Sequence, residues 1–169
     1  MKVKFSLFSL LFCAITSLCF GFGPKIETVE QTLCMIKPTA VKDGHIGQIL
    51  SVFEKTDLRI AGLKMTRLSV DDAQSFYAQL KERPFFKDLV TMMTSGPIVA
   101  VVIEGKDAIA RTRELIGETD PKKAKAGTIR KLFGKNITEN AVHASDSAES
   151  AVNEIPFFFN ARELFPGKT

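Results

Sequence analysis

The sequence is poor in the residues on which several chemistries depend. It has three cysteines and two histidines. Cys13 and Cys19 stand in a leader, so Cys34 is the one thiol in the body of the chain. A single body thiol makes no internal disulfide framework, and with two histidines it makes no usual zinc site. Cys34 lies in an apolar run and reads as a small buried hydrophobe rather than a nucleophile. No G-x-x-x-x-G-K-[ST] loop occurs and no G-x-G-x-x-G follows a strand, so two common glycine-built phosphate cradles are missing. There is no internal repeat and no low-complexity segment. Positive charge is also thin: of the formal net +4, residues 1 to 29 supply +2 through Lys2, Lys4 and Lys25 against Glu27. The +2 left on residues 30 to 169 is too little for a nucleic-acid footprint.

What remains is an ordinary globular composition, 45% hydrophobic and 25% charged over 169 residues, enough for one domain with its own core. Residues 1 to 29 are set apart as a leader or N-terminal extension, and residues 30 to 169 as the folded domain. Two lysines followed by an apolar Phe- and Leu-rich run from Phe5 to Phe22 resemble a secretory signal. The same run is about the length of a short spanning helix, so an uncleaved anchor is the rival reading. An extension, with translation starting near Val29 or Glu30, is the third.

The body alternates strands and helices. Gln31 to Lys37 is a short apolar strand stopped by Pro38, which leaves Lys37 at its carboxyl end. Ile46, Ile49, Leu50 and Phe53 have the three-and-four spacing of a helix over His45 to Lys55. Leu58 to Leu68 is a second strand. Ser69 with Asp71 and Asp72 starts a helix carrying Phe76, Tyr77 and Leu80, broken at Arg83-Pro84; a further helix runs to Thr94. Ile98 to Ile103 is a strand buried on both faces, followed by a helix from Asp107 to Ile116. Thr119 to Gly134 reads as a long structured loop, and Ala141-Val142-His143 as a short strand. Asp146 caps the last helix with Glu149 three residues on, and Ala148, Ala151, Val152 and Ile155 take core spacing. Pro156 predicts a kink or an end there. This order fits an α+β fold of the ferredoxin-like βαββαβ plan, a four-stranded antiparallel sheet covered by helices.

Without a glycine cradle, bound phosphate must be held by arginine and lysine. The candidates are Lys37, Arg111, Arg113, Arg130 and Lys122, Lys123 and Lys125, the last three reading as a solvated surface. His143, taken alone, is more often a structural histidine than a catalytic one. Glu154, at the edge of the next helix's apolar stripe, changes its weight. A half-buried carboxylate there holds one ring nitrogen and leaves the other as a nucleophile. His45 has no such partner and reads as a polar residue at a helix start.

Five segments then carry a resemblance: Leu33 to Val41, Glu82 to Lys87, Thr94 to Pro97, Gly127 to Arg130, and Asn140 to Ser147 with His143 inside it. Together, colinear from about Glu30 to Phe159, they resemble nucleoside diphosphate kinase. The resemblance implies transfer of the γ-phosphate of ATP or another triphosphate to a nucleoside diphosphate, ping-pong, through a phosphohistidine at His143 with Glu154 orienting the ring. It places Lys37, Arg113, Thr119 and Arg130 on the phosphates, Phe85 under the base, Asn140 and Lys37 on the sugar side, and Tyr77 in the pocket lining. It also implies Mg²⁺ carried on the nucleotide phosphates, a homo-oligomer (tetramer or hexamer) and no nucleic-acid partner. A membrane enters only if the leader is an anchor.

Three residues depart from the family's pattern: Thr39 where aspartate is usual, Ala144 where glycine is usual, and Pro156 near Glu154. A Cβ at 144 costs energy if φ there is positive, and Pro156 would tilt Glu154 away from His143. The alternative is therefore an exported nucleotide-binding or interaction protein of the same fold with weakened or lost catalysis. Substrate supply places the protein in the cytoplasm, whereas the leader argues for export or anchoring.

Overall fold

The computed structural model describes residues 29–167; the leader readings for residues 1–28 lie outside them. Strand β1 (Val29–Ile36) is followed by α1 (Pro38–Lys42), α2 (Ile46–Glu54), β2 (Arg59–Thr66) and α3 (Val70–Phe76). Next come α4 (Phe86–Met93), β3 (Ile98–Lys106), α5 (Ala108–Ile116), α6 (Ile129–Phe133), β4 (Val142–Ala144) and α7 (Ala148–Phe158). The sheet order is β2-β3-β1-β4, with every neighbouring pair antiparallel. This is the ferredoxin-like arrangement expected from the sequence.

Both faces of the sheet are covered. Leu33, Met35, Ala100 and Val102 pack under α3, α4 and α7, with Phe76, Leu89, Met93 and Ile155 among their neighbours. Cys34, Ile36, Val101 and Ile103 pack on the opposite face against Ile49 and Phe53 of α2, Ala108 and Ile116 of α5 and Ile129 of α6. Two-sided burial explains why β1 and the start of β3 are nearly continuous apolar runs rather than alternating ones. Each large side chain so buried contributes about 2 kcal/mol. Cys34 is fully buried, and burial pushes its thiol up to about 12, as suits a packing residue.

Several local expectations change. Pro38 ends β1 as expected, but a helix rather than a turn follows: it opens α1, where a missing N–H costs nothing and the fixed φ suits a first helical turn. The stretch from Thr119 to Gly134 holds a helix, α6, too short at five residues to leave a periodic signal. The cap of α7 is Ser147, whose hydroxyl accepts from the Ser150 N–H, and not Asp146, which takes the Ser150 hydroxyl instead. Val152 is not in the core: it is 70% exposed, and Ala148 is exposed as well. Pro156 neither ends nor precedes the end of α7 at once; the helix continues to Phe158. The proline stands in the last turn on the exposed side, so the Val152 carbonyl it leaves without a donor lies where water reaches it.

Candidate active site

The carboxyl end of β1, strand β4, the end of α3 with the segment leading into α4, and helix α7 meet around a cleft of about 790 Å³. The nine residues that the resemblance places in the site all line it: Lys37, Tyr77, Phe85, Arg113, Thr119, Arg130, Asn140, His143 and Glu154. Arg111 does not; it pairs with Asp57 elsewhere. Lys122, Lys123 and Lys125 are exposed, as a solvated face requires.

His143 is the middle residue of β4, opposite Met35 of β1. Its Nε2 donates to Glu154 Oε2 at 2.9 Å. The same oxygen accepts from Ser145 Oγ at 2.7 Å, and Ser145 Oγ in turn accepts from the Leu33 N–H at 3.3 Å. The carboxylate is thus tied to β1 through a serine that the sequence reading did not single out. Holding Nε2 protonated puts the lone pair of the neutral ring on Nδ1. Nδ1 has no protein partner among the described residues. Phe76 and Tyr77 set their edges against the ring, with centroids 5.3 and 5.9 Å away, and fix its plane. Pro156 leaves this arrangement undisturbed. Ala144 also sits without strain: it pairs with Cys34 in β4, and the non-glycine residues described with positive φ are Asp107 and Ala141. Thr39 lies in α1, outside the cleft lining.

The cations are pre-placed by backbone carbonyls. Arg130, 4% exposed, donates to the carbonyls of Gly117 (2.9 Å) and Val142 (3.1 Å) and to Thr119 Oγ1 (3.5 Å). Its Nε is buried without a partner. Burial, with Arg113 nearby, brings its guanidinium down to about 10. Arg113 reaches the Ala144 carbonyl at 3.4 Å. Lys37 Nζ donates to Asn140 Oδ1 (2.6 Å) and to the Thr138 carbonyl (3.3 Å), while Asn140 Nδ2 donates to the Thr119 carbonyl (3.1 Å). Phe85 and Ile137, 47% and 60% exposed, line the cleft with unused apolar surface.

An imidazole with Nδ1 open to the cleft shares the lining with Lys37, Arg113 and Arg130 and with the carboxylates Asp146, Glu149 and Glu154, a set that suits transfer of a phosphoryl group. The nucleoside diphosphate kinase sequence family matches residues 30–164. The chain belongs to that family. Among nucleoside diphosphate kinases, that of Chlamydia muridarum is 55% identical over 136 residues, covering 80% of this chain and 96% of the relative. That of Halorhodospira halophila is 56% identical over the same shares. In structure, the chain resembles the Aquifex aeolicus nucleoside diphosphate kinase with a TM-score of 0.79 at 47% identity, covering 81% of this chain and 99% of that one. The Halobacterium salinarum nucleoside diphosphate kinase, solved in complex with CDP, gives 0.80 at 38% identity, over 84% and 95%. The protein is accordingly an enzyme, a phosphotransferase of nucleotides.

Lys37 makes a testable prediction. Burial, and secondarily Arg130, lowers its ammonium to about 7, against about 10.4 in a free chain. Between those values the unfolded state holds more protons than the folded one, so this group's cost to stability falls as pH rises from 7 to 10. Phosphate beside Nζ favours the charged form, so nucleotide binding at pH 8 is expected to take up a proton, and binding at pH 6 is not. Calorimetry in buffers of different ionisation enthalpy reads the difference; equal proton uptake at both pH values contradicts it.

Proposed function

We propose that this nucleoside diphosphate kinase works by a ping-pong cycle through a phosphohistidine at His143. The observation that carries the reading is the Glu154–Nε2 bond, which leaves Nδ1 as the nucleophile among the cations. In the first half-reaction Nδ1 attacks the γ-phosphorus, the N–P bond forms, the bridging O–P bond breaks and the nucleoside diphosphate leaves with that electron pair. Glu154 holds the positive charge that grows on the ring. In the second half, a terminal oxygen of another diphosphate attacks the same phosphorus and the N–P bond breaks. Lys37, Arg113 and Arg130, with the Thr119 hydroxyl, neutralise charge on the transferred group while it is loose.

Phe85 stacks the base, with Asn140 and Lys37 on the sugar side and Tyr77 closing the pocket beside His143. A relative solved with CDP supports a diphosphate in this cleft. Every base offers a π-face, so a stacking contact is indifferent to base identity. Phe85→Ala is therefore expected to raise KM for ATP and GTP alike by about 5–10-fold, with kcat little changed; steady-state kinetics that show loss for one base only contradict this.

Magnesium fits the site as a passenger. The ion would be carried on nucleotide phosphates that Lys37, Arg113 and Arg130 would hold in the cleft they line. When bound it spreads the charge of the phosphate oxygens. The enzyme acts as a homo-oligomer, tetramer or hexamer. Supporting this, β2 is an edge strand with Leu63 and Met65 more than half exposed. We place the catalytic domain at residues 30–169 and the protein in the cytoplasm, where triphosphates are supplied. Initial rates against both nucleotides test the cycle: parallel double-reciprocal lines are expected, and intersecting lines contradict a phosphoenzyme.

A further inference from the structure

The segment between α6 and β4 carries three residues of the cleft lining, Ile137, Thr138 and Asn140, and it is closed on itself. The Lys135 N–H donates to the Glu139 carbonyl at 2.8 Å. Asn136 Oδ1 accepts from the Thr138 and Glu139 N–H groups at 3.0 and 2.8 Å, the short-range pattern by which an asparagine fixes a turn. A turn bonded internally in this way moves as one piece. Its hinges are Gly134, whose N–H donates to the Arg130 carbonyl at 3.0 Å, and Asn140, whose amide donates to the Thr119 carbonyl at 3.1 Å.

Two sets of contacts restrain that piece. On the cleft side, Lys37 Nζ donates to the Thr138 carbonyl and to Asn140 Oδ1. Lys37 also contacts the nucleotide in the cycle proposed above, so this tie weakens when a bound phosphate draws the ammonium away. On the outer side, Lys135 Nζ pairs with Asp43 Oδ2 at 2.5 Å. Just before the first hinge, the Phe133 ring packs against His45 with centroids 4.7 Å apart. Asp43 and His45 flank Gly44, which stands at φ +78° in the turn between α1 and α2, a backbone that glycine adopts without strain. That turn has its own bonds: the Asp43 N–H donates to the Thr39 carbonyl and the His45 N–H to the Ala40 carbonyl, each at 3.0 Å. It is therefore a fixed support for the mobile end of the pair. Neither Asp43 nor Lys135 lines the cleft, and the mechanism above uses neither.

We propose that Asp43 and Lys135 are positioning residues for nucleotide binding: their ion pair holds, from outside the cleft, the turn that presents Ile137, Thr138 and Asn140 to the nucleotide. This rests on the cleft being the nucleotide site. A turn held in place beforehand loses less freedom on binding, so the pair acts on affinity and not on the chemical step. Both side chains are partly exposed, Asp43 29% and Lys135 53%, so the effect is modest and salt screens it.

The test uses the full-length chain with Asp43→Lys, Lys135→Asp and the two together. Each single change sets like charges against each other, and the double change restores the pair with its signs exchanged. Each single variant is expected to raise both Kd and KM for ADP about 3–5-fold at low salt, with kcat within about 1.5-fold of the parent. The double variant is expected to return to within about 1.5-fold of the parent, and the single-variant losses to shrink at about 0.5 M salt. Melting curves accompany the titrations. Single variants that bind ADP like the parent overturn the proposal, whether or not they melt lower, because a purely structural pair would move stability alone. A double variant no better than the singles, or a loss that falls on kcat, overturns it as well. The parent keeps this separate from the reading it rests on: failure to bind ADP removes the cleft as the nucleotide site, whereas binding without label on His143 removes the phosphohistidine and leaves the Kd comparison decisive.

Discussion

Replacing His143 with alanine is expected to abolish phosphotransfer, lowering kcat by about 10⁴-fold or more, while the protein folds as before. The size follows from the role: removing the atom that carries the phosphoryl group leaves binding and charge stabilisation but no covalent route. Folding survives because the ring is a cleft residue held by edge contacts with Phe76 and Tyr77, worth about 1 kcal/mol, and by one hydrogen bond to Glu154, which keeps its bond to Ser145. Nucleotide affinity should persist too, since Lys37, Arg113 and Arg130 do not depend on the imidazole for their places. A coupled assay, a melting curve and a nucleotide titration on the same preparation check all three. Turnover within tenfold of the parent would place the nucleophile elsewhere.

Arg130→Ala should be the next most damaging change, and in a different way. It lines the cleft, and in the proposed role its loss is expected to lower kcat by about 10²–10³-fold, the usual effect of removing one group that balances transition-state charge. It also braces the fold, since it joins the carbonyl of Gly117, after α5, to the carbonyl of Val142 in β4. Leaving those acceptors buried and unmet costs about 1–3 kcal/mol. Both activity and melting temperature should therefore fall, the melting temperature by more than in His143→Ala, where the loss is mainly of activity. Urea unfolding beside the kinetic assay separates the two; an Arg130→Ala protein that melts like the parent would contradict the bracing role.

The contrast between these residues also explains what the sequence made legible. Lys37 was placed at the end of β1 because a proline follows an apolar run, and His143 with Glu154 because a short strand leads into a capped helix. Those are local patterns, and they survive folding. The pocket's reach across the chain is not local. That Tyr77 is buried with its hydroxyl unpartnered, beside a histidine 66 positions on, follows from sheet order, which only the three-dimensional packing supplies. Ser145 was visible only as a letter in a motif; its bond to Glu154 depends on the antiparallel pairing of β1 and β4. Pro38 marks both the end of β1 and the start of α1, and the apolar run before it signals the strand alone; Val152 is exposed because α7 buries a narrower stripe than its apolar spacing implies. The fears attached to Ala144 and Pro156 had the right physics at the wrong positions. Positive φ is present in this segment, three residues earlier at Ala141, and the proline falls in the exposed last turn of its helix.

The most direct test of the account is to incubate the enzyme with γ-labelled ATP and magnesium, remove free nucleotide, locate the label, and then add GDP. The account predicts acid-labile label on His143 that moves quantitatively to GTP. Nucleotide that binds without labelling His143, or label that stays on the protein when GDP is added, would contradict it.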